Sequence, residues 1–74
     1  MLDTNKTLFL RERARKLPPG GYELSTVYGL LRWNQVDRPT EEGRRAKQTV
    51  LAGLVPGLTV GLKTATNHQL YVVG

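Results

Sequence analysis

The chain has 74 residues, no cysteine and one histidine, and its 11 Lys and Arg against 6 Asp and Glu give a net charge of +5. That length suits one domain with a marginal core, and the missing cysteines exclude disulfides and thiolate zinc sites. A single histidine cannot build a metal centre, and a sequence pI near 10.1 suits a polyanionic partner, of which nucleic acid is the commonest.

Turn signals divide the chain into four pieces, without internal repeats. A first helix is expected over about 4–17. Leu10, Ala14 and Leu17 recur at i, i+4 and i+7 with Phe9 beside them, and Arg11, Glu12, Arg13, Arg15 and Lys16 form a solvated face. Asp3 or Thr4 can cap its start, and Pro18-Pro19-Gly20-Gly21 stops it. Tyr22-Glu23-Leu24 then reads as a short edge strand. A second helix is expected over about 26–32, with Ser25 as N-cap and Val27, Leu30 and Leu31 as its buried stripe. Trp33 ends it and is expected in the core, given its large apolar area.

Thr40, followed by Glu41 and Glu42, reads as the cap of a third helix over about 41–53, with the acids at the positive end of its dipole. Gly43, Ala46, Val50 and Leu54 fall on one side. Arg44, Arg45, Gln48 and Thr49 spread over the other, with Lys47 at the boundary. Gly43 costs about 1 kcal/mol relative to alanine inside a helix, and close approach by another helix or by Trp33 is its expected reason.

After Pro56-Gly57 the period changes to two, and a hairpin is expected over about 58–73. A three-residue loop, Ala65-Thr66-Asn67, would pair Thr64 with His68, Leu62 with Leu70 and Val60 with Val72. The aliphatic residues would then share the core face, while Lys63, Gln69 and Tyr71 share the outer one. Asn67 would take the left-handed position that asparagine tolerates.

The expected fold is therefore α+β: three helices, a short strand and a C-terminal two-stranded hairpin, the layout of a small winged helix-turn-helix domain. In that layout the third helix enters the major groove and the hairpin is the wing. The expected nucleic-acid-binding residues are Arg44, Arg45, Lys47, Gln48 and Thr49 on the helix and Lys63, Asn67 and His68 at the wing. Arginine and glutamine suit guanine and adenine edges. Two features oppose this reading. The loop from Trp33 to Thr40 is long for a helix-turn-helix, and Glu41 and Glu42 would repel phosphate.

The segment from Leu17 to Tyr71 resembles a family of small uncharacterised bacterial proteins, a domain of unknown function also met in mobile elements. The resemblance lies in "LPPGGYEL", in Trp33 after the second helix, in "GRR" at 43–45, in "VPGL" at 55–58, and above all in "KTATNHQLY" at 63–71. Where that family often carries a bulky aromatic, this chain has Ala46. The resemblance implies a winged-helix-like layout and no established activity.

Enzymatic readings find no acid pair, nucleophile set, phosphate-binding glycine loop or metal cluster with workable spacing, so neither catalysis nor a cofactor is expected. No apolar run approaches the ~18 residues of a membrane span, and the first six residues lack the features of a secretory leader. The chain is expected to be soluble and cytoplasmic. The expected function is binding of double-stranded DNA by a small transcriptional regulator, with a homodimer compatible. The alternative is a protein-interaction module of a mobile element that binds and inhibits a host protein complex.

Overall fold

In the computed structural model, which describes residues 1–74, Asp3 caps the first helix by accepting a hydrogen bond from the Lys6 N–H at 2.8 Å. Helix α1 spans Thr4–Lys16 and buries Leu10 and Ala14, with Phe9 and Leu17 packed beside them. Its stop at the double proline follows the sequence. Arg13 is not a solvated residue: its Nε donates to the Val27 carbonyl at 2.6 Å and ties α1 to the next helix.

Strand β1 is Gly20–Glu23, followed at once by α2, Leu24–Tyr28, and α3, Leu30–Trp33. The single second helix expected over 26–32 is thus two short helices. The break is at Gly29, whose φ of 88° lies in the left-handed region that glycine enters without strain. Its N–H donates to the carbonyls of Ser25 and Thr26, closing α2. The break also redirects the apolar residues. Leu24, Val27 and Tyr28 are buried, whereas Leu30 and Leu31, expected in the core, are exposed, Leu31 at 84%. Ser25 makes no cap; Glu23 occupies that position without a side-chain bond. Trp33 is half-buried and meets the Tyr28 ring edge-on, centroids 5.2 Å apart.

Helix α4 spans Pro39–Leu51, with Pro39 in its first turn and Arg38, not Thr40, at the N-cap. Ala46 and Val50 are buried as expected, and Leu54 is not. Beneath α4, Glu42 is turned inward and only 4% exposed. One of its oxygens accepts from Lys6 Nζ at 2.9 Å and the other from the Tyr28 hydroxyl at 2.9 Å. These two donors satisfy a carboxylate that would otherwise be costly to bury.

Strands β2, Leu58–Lys63, and β3, Gln69–Val73, complete an antiparallel sheet in the order β1–β3–β2. The hairpin tip is as expected. Thr64 N–H donates to the His68 carbonyl at 2.8 Å, and Asn67 has a φ of 67°. Away from the tip the expected register fails. Lys63 faces Gln69, but Val60 faces Tyr71 and Leu58 faces Val73, so a β-bulge at Gly61-Leu62 inserts one extra residue into β2. One residue of slip exchanges the two faces of a strand. Tyr71, expected outside, is therefore 2% exposed in the core, and Leu62, expected inside, is 84% exposed.

Two features hold the bulge. A Cβ at Gly61 would lie 2.8 Å from a Val72 methyl, so a side chain there would force Val72 or the strand to shift. The Gln69 amide donates to the Gly61 carbonyl at 2.6 Å, satisfying an acceptor beside the bulge. The core that results combines Leu10 and Ala14, Leu24, Val27 and Tyr28, Ala46 and Val50, and Val55, Leu58, Tyr71 and Val73. The molecule is a small α+β domain of four helices and one three-stranded antiparallel sheet.

Candidate functional site

The largest cleft, about 610 Å³, lies between the first half of α4 and the hairpin tip. From α4 it takes Thr40, Gly43, Arg44 and Lys47, and from the hairpin Lys63, Asn67, His68 and Gln69. The spacing i, i+3, i+4, i+7 puts the four α4 residues on one face of the helix. Lys63 keeps its expected place opposite Gln69, and because residues 69, 71 and 73 form the inner face of β3 it lies on the cleft side; the bulge brings Leu58 and Val60 onto that same face. The Trp33 indole and Tyr71 contribute apolar lining.

The electrostatics are dominated by cations. Arg44, Lys47 and Lys63 line the cleft, against a single carboxylate, Glu23. Glu23 is itself engaged, with an oxygen 3.0 Å from His68 Nδ1. Glu42, expected to repel a bound phosphate, is withdrawn beneath α4. Glu41 remains at the surface, outside this cleft, and pairs with Arg44 at 3.2 Å and Arg45 at 3.5 Å. Both pairs are solvent-exposed, so the partners exchange at little energetic cost.

The expected binding residues fall into two groups. Arg44, Lys47, Lys63, Asn67 and His68 meet around one cleft. Arg45, Gln48 and Thr49 do not join them. Arg45 lines a separate recess with Lys6, Asp37, Arg38, Glu41 and Glu42. The Gln48 side-chain carbonyl accepts from the Met1 amino group at 3.3 Å. Thr49 is fully buried, at 0% exposure, and cannot reach a ligand. Its Oγ1 accepts from the Leu2 N–H at 2.9 Å and donates to the Arg45 carbonyl at 2.8 Å, which anchors the chain start to α4.

Sequence reasoning missed Trp33, Thr40, Gly43 and Gln69 as cleft residues. The signal was present in the stripe 40, 43, 44, 47, which is polar or small throughout and has the period of a helix face. The expected reason for Gly43 also fails. A Cβ there would meet nothing within 4 Å, so no neighbouring element requires glycine. The chain was compared with family models, curated proteins and solved structures, and it matches none of them. No helix is long and apolar enough to cross a membrane.

Proposed function

We propose that this domain is a small winged helix-turn-helix protein that binds double-stranded DNA, with α4 as the reading helix and the β2–β3 hairpin as the wing, acting as a transcriptional regulator. The observation that carries this reading is the convergence of Arg44 and Lys47 from α4 with Lys63, Asn67 and His68 from the hairpin on one cleft. Three further features support it. The sheet order β1–β3–β2, with β2 packed against α4, sets the hairpin beside that helix, where a wing would lie. The chain is strongly basic. The buried Glu42 removes one of the two acids that opposed it.

The test is fluorescence anisotropy with a random-sequence duplex at about 50 and 200 mM salt. A protein neutralising several phosphates loses orders of magnitude in affinity over that range, with a slope near −0.9 per phosphate. The triple variant Arg44→Ala/Lys47→Ala/Lys63→Ala is expected to lose most of the binding and most of the salt dependence. A triple variant that binds like wild type would sink this reading.

A second reading, a module that binds a protein partner, draws on the exposed Leu30 and Leu31 of α3. Paired leucines at the surface suit an apolar contact. Such binding would change little with salt and would be abolished by Leu30→Asp/Leu31→Asp, a variant that leaves the basic cleft intact.

A further inference from the structure

Gly43 sits in the middle of a 13-residue helix, where glycine is the poorest choice short of proline. Glycine inside a helix is retained without conflict where a neighbour presses on the backbone. Here no neighbour does, since a Cβ at this position has no heavy atom within 4 Å. The missing side chain instead opens the wall of the cleft, between Arg44 and Lys47 on the same helix face and Lys63 across from it. Glycine at this position leaves the helix backbone bare on the cleft side.

We infer that one strand of the DNA backbone lies in this cleft, passing between α4 and the hairpin, with its closest approach to the protein at the bare backbone of Gly43. This rests on the duplex-binding reading above and deepens it. A helix in the major groove with a hairpin beside it has one sugar–phosphate strand between them, and that strand must pass where the cleft lies. The chemistry of the walls fits a phosphodiester. Arg44 and Lys47 provide cations on one side and Lys63 on the other, with the Asn67 amide at the tip. The Trp33 indole gives the sugar an apolar surface. The one lining carboxylate, Glu23, lies 3.0 Å from His68 Nδ1.

Gly43 is on these grounds a steric determinant of binding that is dispensable for folding. In the test, Gly43→Ala and Gly43→Leu are melted and titrated with duplex DNA beside the Arg44→Ala/Lys47→Ala/Lys63→Ala variant. Both substitutions replace glycine with better helix formers pointing into open space, so both are expected to melt at or above the wild-type temperature. Gly43→Leu fills the strand's path and is expected to weaken binding by about ten-fold or more, with Gly43→Ala between it and wild type. The salt slope is expected to become shallower by about one for each phosphate that the variant no longer neutralises.

Duplexes carrying single neutral methylphosphonates, walked along each strand, provide the second measurement. With wild type a short contiguous run on one strand is expected to be sensitive, and Gly43→Leu is expected to erase that sensitivity. Wild-type affinity in Gly43→Leu, alongside abolished binding in the triple variant, overturns the strand path and leaves the duplex reading standing. Sensitivity scattered over both strands overturns it equally. A wild-type chain that binds no duplex at all removes the duplex reading itself.

Discussion

Tyr71 and Leu62 exchange the roles their side chains suggest. A leucine in an alternating strand reads as core and a tyrosine as the amphipathic outer residue, and the bulge reverses both. Nothing in the local composition marks the slip except Gly61, which sits where a Cβ would collide with Val72. Tyr71→Ala is expected to cost about 3–5 kcal/mol, as large aromatic truncations in a core do. Leu62→Ala is expected to stay within about 0.5 kcal/mol of wild type, as for an ordinary surface position. Urea midpoints for the two variants check the assignment, and comparable destabilisation at both sites would contradict the bulged register. Thr49 carries a related lesson. On a helical wheel it belongs with the polar face, yet its hydroxyl is consumed by the Leu2 N–H and the Arg45 carbonyl. A buried threonine with both bonds made inside the molecule is indistinguishable, in sequence, from one awaiting a ligand.

The elements themselves were largely legible where a strong periodic pattern met strong punctuation. Asp3 and the double proline bound α1, Pro39 and the paired glutamates mark the start of α4, and the hairpin tip follows from Asn67. The second helix was misread because Val27, Leu30 and Leu31 keep helical spacing across Gly29, and the period conceals a break that only the glycine betrays. That break rotates Leu30 and Leu31 out of the core. Gly29→Ala forces a residue with a Cβ to a φ of 88° and is expected to destabilise by more than about 1 kcal/mol. Thermal or urea unfolding reads this directly. An unchanged midpoint would mean that α2 and α3 tolerate fusion into one continuous helix.

For the molecule as a whole, two buried tyrosines link stability to alkaline pH. Burial, reinforced by the hydrogen bond to Glu42, holds the Tyr28 hydroxyl far above its ordinary value near 10, and burial pushes Tyr71 upward as well. Each is neutral when folded and ionises more readily when unfolded. Their contribution is thus fully present below pH 10 and is lost as pH rises from there toward the folded values. The loss steepens by up to about 1.4 kcal/mol per pH unit for each tyrosine. Urea midpoints between pH 8 and 11 should hold level to about 10 and then fall, and Tyr71→Phe should make the fall shallower. An identical decline in wild type and variant would exclude Tyr71 as a contributor. The cleft was only partly readable at this scale. Helical spacing gives Arg44 and Lys47, and the turn gives Asn67, but their meeting with Lys63 depends on how two distant segments pack.

The surplus residue in β2 has a consequence for how such a domain can diversify. The ribbon carries two side-chain phases, one for the base that joins the core and another for the tip that overhangs the cleft. Losing a single residue at Gly61 or Leu62 would bring both into one phase, straighten the ribbon and leave Lys63 opposite Gln69. The bend of the overhang is then open to change by insertions and deletions in the ribbon, with no exchange of one amino acid for another.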